Sequence, residues 1–509
     1  MPRQYIHTAI DFPNAAPHMG HVMEKVLADV MARWFRLRGD EVRLHVGADE
    51  NGIKIQQTAE ALGMTPQELV DRNSPLFEQL FRRLNISFDT FIRTSDPKRH
   101  WPTVVALWNR LKEGGFLEKR TYAGLYCTGC ERFVTEKDLV DGLCPDHRQR
   151  PEAVKEENWF FLLSRKQDAM KKLLHPKTGT YKMVPSWRGN EVLSFLEGGL
   201  EDVSFSRSKE TLSWGVPVPD EPDQVMYVWC DNLTSYLSSL GFFTDHEMRE
   251  WWDDAEITDV IGKDIARFHA INWPAMLQCA GVKTPERLLI HGFITSDGQK
   301  MSKTLGNVVV PSDVLDRYGV DPLRFYLSHE IPVGNDGDFS WKRFGELYDA
   351  KLRNQLGNLL NRALVLLKKE GGEMKLGAAA QAFSPDSWGR YVKAMNDFDY
   401  SVAIQEAFSV VAASNQGFND AAVWTIADKA TKIETLSAFA EILRHVALML
   451  LPFMPETAQR MSRQLNVPYV DQMLDRSFVL TDEMKDWGSQ KEWKRVGEPE
   501  ILFPPVECK

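Results

Sequence analysis

The spacing of hydrophobic positions changes along the chain, and its first part alternates between two periods. Tyr5–Ile10 is a short run typical of a buried strand, after which Val22, Val26 and Trp34 recur at helical spacing. A second strand is predicted over residues 41–46. Strand, helix and strand within about forty residues form a βαβ unit, so the sequence predicts a parallel, doubly wound sheet of the Rossmann type.

Later parts of the chain have a different pattern. Over 116–224 the runs are short and rich in cysteine, proline and turn residues, and α/β character returns over 225–290. Beyond Lys351 strand signals nearly vanish, and apolar residues at helical spacing predict a helix bundle. The predicted regions are 1–115 and 225–290 for the two halves of an α/β domain, 116–224 for an inserted domain, 291–350 for a connecting region and 351–509 for a helical domain.

Composition excludes several classes of protein. With 43% hydrophobic and 26% charged residues over 509 positions, a disordered or low-complexity chain is excluded. The longest stretch without charge, Phe268–Val282, is too short for a membrane-spanning helix, which needs about 20 apolar residues. Met1–Asp11 leads straight into a strand-like run, so we expect no signal peptide, no membrane contact and a cytoplasmic protein. The net charge of −10 argues only weakly against nucleic-acid binding, which needs no more than one local basic surface.

Two histidines stand where the first strand turns into the first helix. A helix N-terminus presents free backbone N–H groups and the positive end of the helix dipole. His18 and His21 would add side-chain donors there, and Gly20 would let a phosphate approach the backbone. The alternative, equally open on local grounds, is that the histidines only cap the helix.

A second candidate segment is Lys300-Met301-Ser302-Lys303-Thr304, which follows a glycine-bearing turn. Two lysines on a mobile loop can close over a triphosphate and neutralise its charge. An ordinary solvated surface loop is the alternative. The chain's Gly262-Lys263 pair is followed by Asp264, so no Walker A loop competes for a nucleotide.

Together, HMGH at 18–21 and KMSKT at 300–304 make the paired HIGH and KMSKS signatures, and the chain resembles the class I aminoacyl-tRNA synthetases. Over nearly its whole length it is similar to the methionyl-tRNA synthetases. That resemblance rests on six blocks: FPNAAPHMGH, GADENGIKI, GLYCTGCERFVTEKDL, YVWCDNLTSYLSSLG, IGKDIARFHAINWPAML and HGFITSDGQKMSKTLGN. It implies ATP-dependent activation of L-methionine and its transfer to tRNA, with the KMSKS loop and tRNA-stem contacts in region 291–350.

The resemblance also implies roles for individual residues, with Mg²⁺ accompanying the ATP. The catalytic set would be His18, His21, Lys300 and Lys303. The ATP-binding set would be Phe12, Gly20, Glu24, Gly262, Asp264, Ile265 and His291. The amino-acid set would be Ile10, Asp49, Arg207, Trp229, Asn232, Tyr236 and His269, in which Asp49 holds the substrate ammonium, Arg207 pairs with Asp49, and the rings form an apolar slot suited to a thioether. Ordinary core packing is the alternative for Trp229 and Tyr236, and His269 could equally be a satisfied interior histidine.

Cysteine spacing predicts one structural metal ion. Cys127-x2-Cys130 and Cys144-x2-His147, thirteen residues apart, would give three thiolates and one imidazole around a tetrahedral Zn²⁺ with no open position for water. Such a metal would stabilise a small inserted domain. Buried or redox-active cysteines are the alternative.

Four positions depart from the family pattern. Phe12 replaces the usual tyrosine, Asn51 stands where histidine is usual, and Cys230 and Asn232 are unusual in their block. An unpaired amide in an apolar slot costs about 1–3 kcal/mol. Either a neighbour therefore satisfies Asn232, or the slot prefers a more polar substrate, as in a synthetase paralogue with another amino acid or a non-ribosomal acceptor.

In the helical region, the resemblance implies an anticodon-binding domain. Asn358 and Arg362 lie one helical turn apart, and with Trp424 they would read and stack on anticodon bases. The alternatives are a helix cap, a surface charge and a core tryptophan, and Val423 replaces the proline usual before the tryptophan. Because the sequence shows no appended OB-fold up to Lys509, we expect a monomer. Two rival functions fit the sequence less well. The cysteine spacing and the helical region argue against a small nucleotidylyltransferase, and the presence of both signature lysines argues against a non-catalytic RNA-binding relative.

Overall fold

The computed structural model describes residues 1–127, 132–134, 136, 139–145, 148–245, 247–301, 307–376, 386–490 and 493–506. It divides into two compact units. Residues 3–17 and 43–291 form one, called here the sheet unit, and residues 1–2, 18–42 and 292–509 form the other, called here the helical unit. Among the described residues, no helix is long and apolar enough to cross a membrane.

Strands and helices alternate in the first part of the chain, and helices prevail in the last part. The strands are β1 (Arg3–Thr8), β2 (Glu41–Ala48), β3 (Thr90–Arg93), β4 (Leu117–Cys127), β5 (Arg132–Val134), β6 (Glu152–Phe161), β7 (Lys182–Val184), β8 (Val203–Ser204), β9 (Ser206–Ser208), β10 (Pro217–Val218), β11 (Glu221–Met226), β12 (Glu256–Gly262), β13 (Arg287–His291), β14 (Ile294–Ser296), β15 (Gln299–Lys300) and β16 (Gly337–Phe339). The helices are α1 (Met19–Leu37), α2 (Ile53–Ala61), α3 (Pro66–Arg83), α4 (Trp101–Glu113), α5 (Gln167–Leu173), α6 (Gly189–Glu197), α7 (Val228–Ser238), α8 (Glu250–Asp253), α9 (Trp273–Cys279), α10 (Pro311–Tyr318), α11 (Val320–Glu330), α12 (Trp341–Leu347), α13 (Asn358–Lys369), α14 (Asp386–Asn396), α15 (Tyr400–Asp420), α16 (Lys429–Leu450), α17 (Pro455–Leu465) and α18 (Asp482–Lys485). Short 3₁₀ turns lie at Leu163–Lys166, Ser186–Arg188, Lys263–Ile265 and Val423–Thr425, and π-helical stretches at Phe268–Asn272 and Tyr348–Gly357.

The sheet unit is built on a six-stranded sheet in the order β3-β2-β1-β12-β13-β7. The pairs β2–β3, β1–β12, β12–β13 and β13–β7 are parallel. This confirms the predicted α/β fold with a parallel sheet, and β1 and β2 lie where the hydrophobic spacing predicts strands. Tyr5, Trp108, Trp252 and Trp273 belong to the hydrophobic core of this unit.

Smaller antiparallel sheets occupy the segment between β3 and β12. One has the order β5-β4-β6-β8 and the other β10-β11-β9. The pairing of β4 with β6 is the longest ladder of the two, from Leu117 opposite Phe161 to Tyr126 opposite Glu152. The predicted domain boundaries are finer than the division into two units and stay predictions.

The helical unit contains α1 and the chain from residue 292 onward. The apolar positions that recur at helical spacing lie on the π-helical stretch Tyr348–Gly357, on α13 and on α16, and Leu352, Leu356, Leu359, Leu360 and Leu364 are fully buried. In the described part of the chain beyond Lys351, the β-structure is an isolated bridge between Glu373 and Arg495. These observations agree with the predicted all-helical pattern of this region.

A buried ion pair fixes α1 within the helical unit. Asp29 on α1 lies 2.7 Å from the Arg324 guanidinium on α11, and neither side chain is exposed to solvent. Arg324 also donates to the carbonyls of Phe453 (2.8 Å) and Pro452 (2.9 Å), and Asp29 accepts from Arg33 at 2.7 Å. Burial lowers the pKa of Arg324 and the Asp29 charge opposes that shift, so the cation is held by its partners.

The substitution Asp29→Asn should therefore destabilise the protein by about 3–5 kcal/mol, because it leaves the Arg324 charge buried without its counter-charge. Thermal unfolding followed by calorimetry gives the measurement. The control is Asp397→Asn, which removes the same charge from the exposed pair Lys393–Asp397 and should barely change the melting temperature. Equal losses in both variants would contradict the role of the buried pair.

Candidate functional site

In the sheet unit, two segments exchange hydrogen bonds between amides and carboxylates. The amide of Asn232 donates to Asp49, and the amide of Asn51 donates to Asp231. Asp49 and Asn51 follow β2, whereas Asp231 and Asn232 are the fourth and fifth residues of α7, and all four side chains are buried. The sequence left two possibilities for Asn232: a neighbour satisfies its amide, or the slot prefers a more polar substrate. The structure shows the first, because Asp49 accepts a hydrogen bond from the Asn232 amide.

The electrostatics of this cluster are set by burial. Burial raises the pKa of the Asp231 carboxyl well above its ordinary value, while the hydrogen bond from Asn51 acts in the opposite direction. Burial likewise raises the pKa of the neighbouring Cys230 thiol, so Cys230 is a neutral thiol rather than a nucleophilic thiolate.

Aromatic and imidazole rings lie beside these carboxylates on α7 and the π-helical stretch. The Tyr236 hydroxyl and His269 Nε2 are 2.7 Å apart, and His269 Nδ1 lies 3.2 Å from the Ile265 carbonyl. Trp229 stacks on Phe268 with ring centroids 3.9 Å apart and meets the His269 ring edge-on at 6.2 Å. His269 thus contacts both Trp229 and Tyr236, and all three predicted residues are buried.

Behind them lies a buried polar layer that sequence reasoning missed. His7 on β1 stacks on Tyr236 at 4.1 Å, and its Nδ1 lies 2.6 Å from Asp259 on β12. The Tyr181 hydroxyl donates to Asp259 and lies 3.3 Å from the His269 carbonyl. His7 beside Tyr5 and Ile6 in β1, and Asp259 among the apolar residues of β12, were the available signal, because isolated charges are rarely buried without a partner.

Arg207, predicted to pair with Asp49, is buried on β9. Its guanidinium donates to the Ser206 carbonyl at 2.7 Å and to Ser204 Oγ at 2.8 Å. It also lies over the rings of Tyr227 (4.4 Å) and Tyr126 (5.1 Å). The predicted pairing of Arg207 with Asp49 stays a prediction.

Glycines permit two close approaches in the sheet unit. A Cβ at Gly47 would lie 2.7 Å from Ile10 and 2.5 Å from the Ile92 carbonyl oxygen, so β2 can approach Ile10 only without a side chain there. A Cβ at Gly262 would lie 2.7 Å from Asp264 Oδ1.

Gly262 also lies close to other residues that are predicted to bind the nucleotide. It pairs in register with His291, and a Cβ on it would lie 3.5 Å from the His291 ring. Ile265 ends the 3₁₀ turn that begins at Lys263, and Phe12 packs on the sheet unit's core. Gly262, Asp264 and His291 therefore form one compact group.

In the helical unit, the two signature histidines cap α1. His18 Nδ1 accepts from the Gly20 N–H at 3.2 Å, and His21 Nδ1 accepts from the His18 N–H at 3.0 Å. The rings stack with centroids 3.8 Å apart. Since both Nδ1 atoms accept, each neutral ring carries its proton on Nε2, a donor suited to a phosphate oxygen. The same histidines can therefore cap the helix and bind a phosphate. Glu24, which is predicted to bind ATP, accepts a hydrogen bond from Lys25 at 2.7 Å.

The lysine-rich segment begins on a hairpin. β14 and β15 pair antiparallel across Asp297 and Gly298, which both have positive φ, as a tight two-residue turn requires. The Gly298 N–H donates to Asp338 at 2.8 Å. Lys300 lies on β15, whereas Lys303 lies outside the described residues.

Two of the four predicted metal ligands can be placed. Cys127 ends β4, and Cys127 and Cys144 are both buried in one small cluster with Val134. Cys130 and His147 lie outside the described residues, and the described ranges contain no group of three metal-binding side chains.

Near the start of α13, an exposed tryptophan lies beside an arginine. Trp424 is 48% exposed, so it is no core tryptophan, and the Arg362 guanidinium lies 5.4 Å from its ring and 4.6 Å from that of Phe418. Arg362 also donates to Asn419 at 3.2 Å. Asn358 is exposed at the first position of α13. A solvent-facing ring beside a cation is the kind of surface on which a nucleic-acid base stacks.

A parallel α/β sheet, a histidine-capped signature helix and a lysine-bearing hairpin define a class of enzyme. The family model described as "tRNA synthetases class I (M)" matches residues 4–150 and 147–364. The chain belongs to this family of class I aminoacyl-tRNA synthetases.

Similar proteins within the family share one activity by name. "Methionine--tRNA ligase" of Brucella suis biovar 1 is 39% identical over 92% of this chain and 92% of its own length. The protein of that name from Fusobacterium nucleatum is 36% identical over 99% of this chain and 80% of its own. The solved structure of Mycobacterium tuberculosis methionyl-tRNA synthetase in complex with methionyl-adenylate has a TM-score of 0.89, with 35% identity over 99% of this chain and 100% of that one.

Proposed function

We propose that this chain is a methionine–tRNA ligase, which activates L-methionine with ATP and transfers it to tRNA. The observation that carries the proposal is the 36–39% identity to methionine–tRNA ligases over 92–99% of this chain. The similarity to a structure that holds methionyl-adenylate supports the same intermediate here. We further propose a cytoplasmic monomer, since one chain supplies every residue assigned below.

In the first step, a methionine carboxylate oxygen attacks the α-phosphorus of ATP, and the bond to the bridging oxygen breaks to release pyrophosphate. Asp49 binds the substrate ammonium and Arg207 pairs with Asp49. The thioether lies among apolar and aromatic groups, namely Ile10, Trp229, Tyr236 and His269. Their burial supports this assignment, because a thioether has no hydrogen bond to lose in an aromatic-walled slot.

The nucleotide is held by residues of both signatures, and Mg²⁺ accompanies it. His18 and His21 donate from Nε2 to phosphate oxygens, and Lys300 and Lys303 neutralise the charge that develops on the leaving pyrophosphate. The adenosine is bound by Phe12, Gly20, Glu24, Gly262, Asp264, Ile265 and His291. In the second step, a hydroxyl of the terminal tRNA adenosine attacks the methionyl carbonyl carbon, and AMP leaves.

The observed pairing of Asn232 weakens the case for an altered amino acid. An amide already bound to Asp49 is not an unsatisfied group that needs a polar substrate. The paralogue with a more polar substrate is therefore not favoured, and the ordinary methionine enzyme is.

Pyrophosphate exchange with each of the twenty amino acids tests this specificity. Methionine should exceed glutamine by more than about a hundredfold in kcat/KM, because a glutamine amide would be left unpaired against the aromatic rings. Comparable activity with glutamine, or exchange with another amino acid only, would contradict the proposal.

The exposed Trp424 and its neighbour Arg362 support an anticodon-binding role for the helical region, to which we also assign Asn358, one helical turn before Arg362 on α13. Trp424→Ala should weaken tRNA charging by about 1–3 kcal/mol, the value of one lost base stack, and leave pyrophosphate exchange intact. Aminoacylation and exchange are measured on the same preparation.

The control for Trp424 is Phe418→Ala, which removes a fully buried ring from the same place. It should lower the melting temperature, whereas Trp424→Ala should not, because truncating a buried Phe costs about 3–5 kcal/mol. A Trp424→Ala variant that loses exchange and charging equally would count against the anticodon role.

We also propose that Cys127, Cys130, Cys144 and His147 bind one structural Zn²⁺. The buried positions of Cys127 and Cys144 in one small cluster suit such a site, which would stabilise that cluster and take no part in adenylation.

Cys144→Ser should therefore abolish the bound zinc measured by plasma mass spectrometry and lower the melting temperature. Cys279→Ser, which changes a half-buried thiol on α9, should keep one zinc per chain. A metal-free wild-type protein with full stability would refute the site.

A further inference from the structure

Asn51 and Asn232 depart from the family pattern, and the structure joins both departures in one arrangement. Asn232 donates to Asp49 while Asn51 donates to Asp231, so each segment gives one amide and receives one. The four residues are at most 5% exposed. We call them the reciprocal clasp.

The clasp joins two elements that both carry residues of the amino-acid site. Asp49 follows β2, while Trp229 and Tyr236 lie on α7 with Asn232. A buried carboxylate needs donors, and each lost hydrogen bond to a charged group is costly. The clasp supplies such a donor to Asp49 from the helix that carries the aromatic rings, so the carboxylate and the rings are held at a fixed spacing.

An amide suits this task because it donates one hydrogen bond and is neutral. A carboxylate has about four lone-pair positions, and one amide N–H occupies only one of them. It fixes the orientation of Asp49 and adds no positive charge beyond that of Arg207, which the proposed function already pairs with Asp49.

We propose that Asn232 is a positioning residue, which with Asn51 holds the Asp49 carboxylate in the orientation that receives the amino-acid ammonium. The inference rests on the role of Asp49 in the proposed function. Asn232 itself contacts no reacting atom. Its effect is on ground-state binding of the amino acid and not on the bond changes at phosphorus.

The test is Asn232→Ala in pyrophosphate exchange, with whichever amino acid the wild-type enzyme activates. Because a hydrogen bond to a charged group is lost, the KM for that amino acid should rise by about tenfold to a hundredfold. The kcat value and the KM for ATP should change by less than about threefold. The lost interaction stabilises the enzyme–substrate complex and the transition state equally, so its loss weakens amino-acid binding and leaves the barrier between those two states unchanged. An unchanged or lower amino-acid KM would overturn the proposal.

A second readout separates positioning from general damage to the pocket. 4-(Methylthio)butanoic acid, which is methionine without its amino group, serves as a competitive inhibitor. Its inhibition constant should be the same for wild type and Asn232→Ala, because it has no ammonium for Asp49 to bind. An equal loss for methionine and for this analogue would show that the amide only maintains the shape of the pocket, and would overturn the positioning role.

Asn51→Ala tests the other half of the clasp. It should raise the same KM by a smaller factor, and the double variant should raise it by less than the product of the two factors, because the two bonds support one arrangement. Factors that simply multiply would show two independent residues and no clasp.

The control is Asn415→Ala, which removes an amide that donates to the Gln355 and Val411 carbonyls in the helical unit. It should leave the amino-acid KM unchanged. Since KM does not depend on the fraction of folded enzyme, a partly unfolded variant still gives a valid comparison. A wild type that activates a different amino acid contradicts the proposed function alone, because every amino acid carries the ammonium on which the clasp acts.

Discussion

A carboxylate removed from water must find donors inside the protein, and both units of this chain are organised around carboxylates that do so. In the helical unit, Asp29 pairs with Arg324 and thereby fixes the helix that carries the signature histidines. In the sheet unit, Asp49 and Asp231 receive amides. Removing one partner from such a buried pair is far more costly than removing a surface pair, so these contacts determine where the functional elements lie.

Asp29 and Asp49 have chemically different hydrogen-bond partners because the two carboxylates have different tasks. Asp29 is structural, and a guanidinium is the strongest partner it could have, with fixed geometry and several donors. Asp49 is assigned to bind a cationic substrate, and the neutral amide of Asn232 orients it without adding a charge of its own. The layer of His7, Asp259 and Tyr181 behind Tyr236 and His269 follows the same rule, since each polar group there meets another polar group or an aromatic face.

The sequence predicted the parts of the structure that follow from local periodicity. β1, α1 and β2 appear where the apolar spacing indicates them, and the leucine stripe of α13 is buried as expected. The sequence also marked Asn51 and Asn232 as unusual. It could not show that they bind Asp231 and Asp49, because those contacts join segments far apart in the chain. For the same reason the pairing of α1 with α11 and the pairing of His7 with Asp259 were not foreseen.

The most direct test of this account is a crystal structure of the protein with L-methionine bound. The substrate ammonium should lie within hydrogen-bonding distance, about 2.7–3.2 Å, of an Asp49 oxygen, while the Asn232 amide still donates to the same carboxylate. The thioether should lie against Trp229 and Tyr236. An ammonium bound elsewhere, or an Asn232 side chain turned away from Asp49 when methionine is present, would contradict it.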